Sequence, residues 1–393
     1  MAVIKIIYLI NHSTLHGSNK SLLNLVDGLV EKDVSPLVVM AMEGDLCNKL
    51  KQLRIPYKII PHQFSVYPDL SCKQLRNSVL FIPKLLFLLY RNFIAIISLI
   101  KLVREFDADI IHTNIGPDHV GYMTSRIMGI PHVWHIREYQ DLHFNWHPVP
   151  CKAGFIRLLN HPNNYPIAIS NGLYNHYKMK SNGRVIYNGI FTKTQVRFFK
   201  SKKKYFLFVG RLEEIKGIAQ LIEAFSEFAK SDTEYKLQIA GDGINPFMAV
   251  LNRMVNASGY SQRIKFLGFQ SDVSDLMANA TALIVPAFYE GFGRITAEAM
   301  FNGCLVIGNN SGGTKEILEK ENIGILYSGH DELVSVMKTV VSRGVESYFQ
   351  MIRKAQERAV ALYSVEQNVT AIYDLYLEIL NKKQIAYQSN QNM

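Results

Sequence analysis

The residues of this sequence best suited to chemistry are two glutamates in the segment "YEGFGRITAEAM" (289–300). Gly291 and Gly293 follow the first glutamate, Glu290, and favour a loop there, whereas "AEAM" favours a helix around the second, Glu298. We therefore expect one carboxylate in a loop and one in the first turns of a helix, pointing at different parts of one ligand.

A pair of cations precedes the glutamates, in "FLFVGRLEEIKG". Arg211 follows a predicted strand, and Lys216 stands at the start of a helix that we expect to begin near Gly217. Two cations at a helix N-terminus form a phosphate site, because the helix dipole and the unpaired N–H groups add to the side-chain charge. The alternative is a solvated turn in which Glu213 and Glu214 neutralise both cations.

Two glycine turns follow other predicted strands of the same half. Gly241 lies in "IAGDG", which lacks the third glycine of a dinucleotide fingerprint and is better explained as a tight structural turn. Gly312 and Gly313 lie in "NSGGTKEI", where residues 311–314 are expected to present consecutive N–H donors at a helix start.

Three phosphate-compatible turns around two carboxylates favour a nucleotide ligand that carries a sugar. With its phosphates at the helix N-terminus, Glu298 would accept hydrogen bonds from the ribose hydroxyls, and Glu290 with the backbone at Phe292 and Gly293 would reach the sugar. The alternative is a glycosidase-like carboxylate pair, which is disfavoured because hydrolysis needs no phosphate turns.

The elements that position these residues are short apolar strands alternating with helix-length amphipathic segments. The predicted strands are "VIKIIYLI", "PLVVMAM", "ADIIHTN", "PHVWHI", "PIAIS", "RVIYNG", "KYFLFVG", "YKLQIAG", "RIKFLG", "ATALIVP" and "CLVIGN". Continuous apolar strands separated by helices indicate parallel sheets covered on both faces. The polar, basic stretch 191–204 interrupts the pattern. We therefore predict two doubly wound α/β domains facing a cleft, residues 1–193 joined by a C-terminal helix (365–385), and residues 194–364.

Composition sets the class of protein. The 393 residues are 48% hydrophobic and 19% charged, which excludes a disordered or fibrous chain, and the net charge of +10 (pI about 9.2) favours anionic partners. The four cysteines (47, 72, 151 and 304) are scattered, which favours a reducing, cytoplasmic compartment. The opening "MAVIKIIYLI" is interrupted by Lys5 and fits a buried strand better than a signal peptide.

In this order, "VGRLEEIKG", "IAGDG", the paired glutamates of "EGFGRITAE" and "NSGGTKEI" resemble the retaining glycosyltransferases of the GT-B fold, family four. The resemblance extends to "HGSNKSLLNLVDGLV", "ADIIHTN", "HVWHIRE", "AISNGLYNHY" and "VIYNGI" in the first half. It departs at Ser18, where a second glycine is usual, at Phe191, where an aspartate is usual, and at Cys304, where proline is common.

The resemblance implies a role for each matching residue. Arg211 and Lys216 would neutralise the donor diphosphate, Glu298 would hold the ribose, and Glu290 would contact the transferred sugar. Gly17 and Ser18 would bring backbone close to the phosphates, and His135 would approach the sugar and the acceptor. It further implies transfer from a nucleotide-diphosphate sugar to a hydroxyl acceptor with retention, without a metal or other cofactor. The alternatives are a non-catalytic nucleotide-sugar-binding protein and a nucleotide-sugar epimerase of the same fold. No nucleic-acid partner is expected.

Two patterns imitate metal sites. "DAD" (107–109) lies where a helix meets a strand and is better explained as a surface turn. His143 and His147 have a helical spacing but no glutamate partner, and Pro148 follows, so we interpret them as loop residues near the acceptor.

The apolar segment 79–103 raises the question of whether the protein contacts a membrane. Its charge-free runs are far shorter than the roughly 20 residues of a membrane span, so we expect no crossing. Lys84, Arg91, Ser98 and Lys101 form one stripe, which leaves a broad apolar arc. The arc either packs entirely in the core or, with Lys73 and Arg76 upstream, lies on an anionic cytoplasmic membrane near a lipid-linked glycan acceptor of surface polysaccharide assembly.

Overall fold

The computed structural model describes residues 3–15, 17–68 and 80–391, with side chains described to residue 385. The chain forms two compact units, one of residues 1–189 and 365–393 and one of residues 190–364. Cys72, Lys73 and Arg76 lie outside the described residues.

The first unit contains a seven-stranded parallel sheet of order β3-β2-β1-β4-β5-β6-β7. The strands are β1 (Ile4–Ile10), β2 (Val34–Met40), β3 (Tyr57–Ile59), β4 (Ile110–Asn114), β5 (His132–Ile136), β6 (Asn164–Ala168) and β7 (Arg184–Val185). The helices are α1 (Gly17–Val30), α2 (Asp45–Gln52), α3 (Phe81–Phe106), α4 (His119–Met128), α5 (Gln140–Phe144), α6 (Lys152–Leu159), α7 (Asn171–His176) and the C-terminal helix, Val365–Gln391.

Alternate residues of β1 pack into two separate hydrophobic cores, one on each face of this sheet. Ile4, Ile6 and Tyr8 pack with α1, α2 and the C-terminal helix. Ile7 and Leu9 pack with α3 and α4. This two-sided burial explains why a strand such as β1 carries apolar residues on both faces, as the sequence predicted.

The second unit contains a six-stranded parallel sheet of order β10-β9-β8-β11-β12-β13. The strands are β8 (Lys203–Val209), β9 (Lys236–Ala240), β10 (Ile264–Gly268), β11 (Ala280–Val285), β12 (Leu305–Asn309) and β13 (Ile325–Tyr327). The helices are α8 (Ile218–Ala229), α9 (Asn245–Ala257), α10 (Ser274–Asn279), α11 (Arg294–Phe301), α12 (Gly312–Leu318), α13 (His330–Arg343) and α14 (Phe349–Tyr363). We number the C-terminal helix α15.

The division between the units falls a few residues before the expected one. Phe191 was placed in the first domain, but it forms a bridge with Ser364 and its ring contacts that of Phe301 at 5.6 Å, both in the second unit. The basic stretch that follows belongs to the second unit as well, because Lys202 Nζ donates to the carbonyls of Ala278 (2.6 Å) and Gly303 (2.7 Å).

Helix α3 differs from a purely buried helix. Only Leu88, Asn92, Ala95, Leu99 and Val103 are buried, along one side. Apolar side chains on the other sides are exposed, among them Leu86 (61%), Phe93 (60%) and Ile97 (50%). Among the described residues it is the one helix whose length and composition would allow a membrane crossing, and 28% of its most apolar stretch is buried. The length of the charge-free runs alone did not indicate that α3 is long and apolar enough to cross a membrane. The interpretation that its apolar arc packs entirely in the core is wrong, because much of the arc is exposed.

Candidate functional site

The strand order of the second sheet shows where the predicted site lies. From β8 the chain moves outward through β9 and β10, then returns to β11 on the other side of β8 and continues to β12 and β13. The crevice outside the carboxyl ends of β8 and β11 is therefore the switch point at which open α/β sheets bind ligands. Arg211 and Lys216 follow β8, and Glu290 follows β11.

Lys216 is held at this point by a sharp turn. It ends a short 3-10 turn (Glu214–Lys216), and Gly217, with a φ of 72°, is the N-cap residue of α8. A Cβ atom on Gly217 would lie 2.5 Å from the carbonyl oxygen of Pro286, so the turn requires glycine for both conformation and space. The helix start predicted near Gly217 is confirmed.

Lys216 and Glu290 form a direct ion pair. Lys216 Nζ donates to Glu290 Oε1 at 2.6 Å, and the two side chains are only 19% and 13% exposed. The two residues are 74 positions apart. The sequence predicted both for one ligand, but it gave no sign that they contact each other.

Arg211 has a different environment. Its Nη1 lies 2.9 Å from Glu213 Oε1, and its side chain is 56% exposed. The predicted neutralisation by neighbouring glutamates therefore applies to Arg211, whereas the carboxylate beside Lys216 is Glu290.

The glycine turn at α12 holds the Glu290 loop. Gly313 N–H donates to the Glu290 carbonyl at 2.8 Å, and Ser311 N–H donates to the Asn309 carbonyl at 2.7 Å. A Cβ atom on Gly313 would lie 2.2 Å from the Phe292 carbonyl, so glycine permits this approach. The expectation that residues 311–314 all offer N–H donors to a ligand is wrong, because two of these groups bind the protein itself. A ligand contact by Gly312 stays a prediction.

Glu298 lies on α11, and Glu290 lies in the loop before it, as predicted. Arg294 Nε donates to Glu298 Oε1 at 2.8 Å, and the Glu298 side chain is 14% exposed. Sequence reasoning missed Arg294, although its i,i+4 spacing from Glu298 could have indicated the pair. Gly293 precedes the helix with a φ of 86°, and the Phe292 ring is buried against the Tyr363 ring at 5.3 Å.

Gly241 joins neighbouring loops at the end of β9. Its N–H donates to the Gly268 carbonyl at 2.9 Å, and the Asp242 carbonyl accepts from Leu212 N–H at 2.8 Å. These bonds link the loops after three adjacent strands, which fits the structural turn favoured for this segment.

The predicted residues of the first unit lie in two places. Gly17 and Ser18 begin α1. The loop before them is held by Asn19, whose Nδ2 donates to the carbonyls of His12 (2.6 Å) and Thr14 (2.8 Å). His135 lies in β5 and is fully buried. The side chain expected to approach a sugar is thus inside the unit, and its role stays a prediction.

The hydrogen on the His135 ring can be assigned from its partners. Burial, helped by Arg137 and His112, lowers the pKa of His135 well below its ordinary value, so the ring is neutral. Arg137 Nη2, 3.3 Å away, can only donate, so His135 Nδ1 accepts and its hydrogen lies on Nε2. His135 Nε2 has no hydrogen-bond partner among the described residues.

A chain of hydrogen bonds from helix α15 enforces this tautomer. Since His135 Nδ1 accepts, His112 Nε2 donates to it at 3.2 Å. His112 is neutral as well, because burial lowers its pKa, so its Nδ1 accepts from the Tyr376 hydroxyl at 2.5 Å. The Tyr376 oxygen lies 3.1 Å from the Tyr8 hydroxyl and accepts from it. No sequence pattern indicated this chain, which spans residues 8 to 376.

Of the two patterns that imitate metal sites, the first lies where the sequence placed it and the second only in part. Asp107 caps α3 with an 89% exposed side chain and pairs with Lys5, so "DAD" is a surface turn. His143 was interpreted as a loop residue, but it lies in the short helix α5, beside Glu138. His147 lies in the loop beyond α5, as predicted. Within the described ranges no three His, Cys, Asp or Glu side chains are grouped so as to hold a metal ion.

Comparison with family models gives a match in the second unit. The family model described as glycosyl transferases group 1 matches residues 190–358. N-acetyl-alpha-D-glucosaminyl L-malate synthase of Bacillus anthracis is 24% identical over 179 residues, 45% of this chain and 46% of the relative. Lipopolysaccharide 1,6-galactosyltransferase of Salmonella typhimurium is 28% identical over 207 residues, 49% of this chain and 57% of the relative. The chain spans about half the length of the curated relatives it matches.

Solved structures match nearly the whole chain. The crystal structure of HepE of Anabaena in complex with UDP superposes with a TM-score of 0.76 at 21% identity, covering 94% of this chain and 99% of that one. At this identity the likeness establishes the fold, two parallel-sheet units of the doubly wound type.

Proposed function

Because the chain has the GT-B fold and its second unit matches the family model described as glycosyl transferases group 1, we propose that it is a retaining glycosyltransferase. It transfers a sugar from a nucleotide-diphosphate donor to a hydroxyl acceptor. The observation that carries the proposal is the Lys216–Glu290 pair at the switch point of the second sheet, with Arg211 exposed nearby in sequence and Glu298 on the following helix.

The donor diphosphate lies at Lys216 and at the start of α8, where side-chain charge and helix dipole add. Arg211, with its exposed side chain, turns from Glu213 to the phosphates. These two cations stabilise the leaving diphosphate, so the reaction requires no metal or other cofactor. UDP-sugars are the first donors to test, since HepE was crystallised with UDP.

The glutamates hold the sugar portions of the donor. Glu298 accepts hydrogen bonds from the ribose hydroxyls, and Glu290 contacts the transferred sugar while its carboxylate orients Lys216. His135 contributes a neutral Nε2–H donor toward the sugar. Catalysis then consists of positioning and charge stabilisation, and the leaving diphosphate assists deprotonation of the acceptor.

The acceptor is a lipid-linked glycan at the inner face of a membrane, and the protein is cytoplasmic and peripheral. Support comes from the net charge of +10 and from α3, whose exposed Leu86, Phe93 and Ile97 form an apolar face on a helix that also carries the exposed Lys84 and Lys101. Apolar burial and attraction to anionic lipids act together on such a helix. The relative from Salmonella, named for lipopolysaccharide, agrees with a surface-glycan acceptor.

The enzymatic proposal is tested by product analysis. Purified protein is incubated with UDP-, GDP- and ADP-sugars with and without glycan-lipid extracts, and nucleotide diphosphate and lengthened glycan are measured. Transfer should release nucleotide diphosphate and form lengthened glycan in equal amounts, with the anomeric configuration of the sugar retained. Binding without turnover would instead indicate a nucleotide-sugar-binding protein, and an altered sugar still on its nucleotide would indicate an epimerase.

The proposed location is tested by co-flotation with vesicles of anionic or neutral phospholipid at low and high salt. Phe93→Glu should remove most of the bound fraction. Ile127→Glu serves as the matched control, because Ile127 is 63% exposed in the same unit but lies on α4. Equal flotation of the two variants, or no binding of the wild type, would contradict the membrane role of α3.

A further inference from the structure

The first unit contains a cavity that the proposed donor site does not use. Its volume is about 920 Å³, and it is lined by Asn11 and Met42 just beyond β1 and β2, the segment 62–68, the N-terminal half of α3 and the segment 144–147. Six aromatic side chains line it: Phe64, Tyr67, Phe81, Phe87, Phe144 and Trp146. Several of these rings touch, as Trp146 does with Phe64 and with Phe144, each at 4.8 Å. Flat, rigid apolar walls of this kind suit a hydrocarbon chain or a sugar ring.

The charged groups of the cavity are cationic. Lys84 and Arg91 line it from positions about two turns apart on α3, and no aspartate or glutamate is among its described lining residues. His62 also lines it, but His62 Nε2 forms an ion pair with the buried Asp118 at 3.1 Å behind the wall. Because that pair balances its own charge, Lys84 and Arg91 give the cavity its net positive charge, which complements a phosphate or diphosphate.

The wall between the cavity and the core is held in place by specific bonds. Asn92, on the buried side of α3, exchanges two 2.9 Å hydrogen bonds with the backbone of Gln63. Tyr67 N–H donates to the His147 carbonyl at 2.9 Å, and the Ser65 hydroxyl accepts from His119 N–H at 3.1 Å. The segment 62–68 is therefore tied to three neighbouring elements, so the cavity is a formed site.

The cavity continues into the exposed face of α3. Phe81 and Phe87 line it, while Phe87 is 54% exposed and the next apolar residues, Leu86 and Tyr90, are 61% and 63% exposed. A ligand whose polar end lies at Lys84 and Arg91 can thus extend an apolar chain along the helix without crossing a polar surface.

We propose that this cavity binds the phosphate and the adjoining apolar chain of an amphiphilic acceptor, in which a phosphate or diphosphate joins a hydrocarbon chain to a glycan. The inference rests on the proposed function and specifies its acceptor. Lys84 and Arg91 bind the phosphate, the aromatic rings enclose the groups on either side of it, and the chain leaves along α3.

Trp146 provides the test, because the other tryptophan, Trp134, is fully buried. Trp146 fluorescence of the full chain is titrated with farnesyl diphosphate below its micelle concentration, without membranes or donor. We expect saturable quenching that is absent in Trp146→Phe, and at least about 10-fold weaker binding in Arg91→Glu, the loss of one charge-assisted contact. Lys101→Glu is the matched control: Lys101 lies on the same helix, is 79% exposed, and is not among the cavity's lining residues.

Two further probes separate the sources of affinity. Inorganic pyrophosphate and farnesol, each alone, should bind at least about 10-fold more weakly than farnesyl diphosphate. Pyrophosphate binding as tightly would make this a free-phosphate site, and equal effects of Arg91→Glu and Lys101→Glu would make the attraction nonspecific. Either result overturns the proposal. If the wild type binds a nucleotide sugar but not farnesyl diphosphate, this inference fails alone, and if it binds neither, the proposed function fails as well.

Discussion

From the ion pair between Lys216 and Glu290 we predict that the two residues affect nucleotide diphosphate binding differently. If Lys216 binds the donor diphosphate and Glu290 binds the sugar, free nucleotide diphosphate needs only Lys216. Lys216→Met should then weaken nucleotide diphosphate binding strongly, and Glu290→Gln should change it little while impairing transfer.

The magnitude follows from the contact. Lys216 is only 19% exposed and lies 2.6 Å from a carboxylate oxygen, so its ammonium is held where it can donate to an incoming phosphate. A charge-assisted hydrogen bond contributes about 1.5–3 kcal/mol, which corresponds to a loss of about 10- to 150-fold in affinity for Lys216→Met. For Glu290→Gln we expect a change within about 3-fold, since the amide leaves Lys216 in place and removes its competing carboxylate. The double variant should resemble Lys216→Met.

Isothermal titration of the four proteins with UDP and GDP measures these affinities. Lys204→Met is a matched control, because Lys204 also pairs with a glutamate, Glu234, but lies at the opposite end of β8 from Arg211. Retained affinity in Lys216→Met, or an equal loss in Glu290→Gln, would refute the assignment of phosphate to one residue and sugar to the other.

Three further predictions concern other parts of the molecule. Glu298→Gln should weaken UDP and UDP-sugar binding alike in titration calorimetry, and unchanged UDP affinity would exclude the ribose contact. Tyr376→Phe removes the hydroxyl that donates to His112 and thereby fixes the tautomers of His112 and His135. The variant should have a lower kcat and an altered pH dependence of kcat, with unchanged UDP affinity. An unaltered pH dependence would mean that Tyr376 is purely structural. Burial lowers the pKa of His62, but Asp118 and the Ile60 carbonyl outweigh burial and raise it above its ordinary value. The pair should therefore stabilise the fold fully below about pH 6.5 and lose this contribution as pH rises through the folded-state pKa. Thermal unfolding against pH should show it in the wild type but not in Asp118→Asn, and parallel curves would refute it.

The fold was largely predictable because sheets buried on both faces need continuous apolar strands. The two strands missed, β3 and β13, are three-residue edge strands. Lys58 interrupts β3, and β13 (Ile-Leu-Tyr) is apolar but too short to stand out as a strand. The short β7 was predicted longer than its two residues.

The site was predictable only where the contacts are local. The loop at Glu290, the helix at Glu298 and the turn at Gly217 follow from neighbouring residues. The Lys216–Glu290 pair and the chain from Tyr376 to His135 join residues far apart in sequence, so no spacing rule could reveal them. The exposed face of α3 was left open between two explanations, because periodicity shows that a helix has an apolar arc but not how much of it the rest of the fold covers.

If the second unit binds a nucleotide-diphosphate sugar through Lys216, titration of the purified protein with UDP-, GDP- and ADP-sugars will show it. At least one of these donors should bind the wild type saturably and bind Lys216→Met at least about 10-fold more weakly. Absence of binding by every donor, or binding that Lys216→Met leaves unchanged, would contradict it.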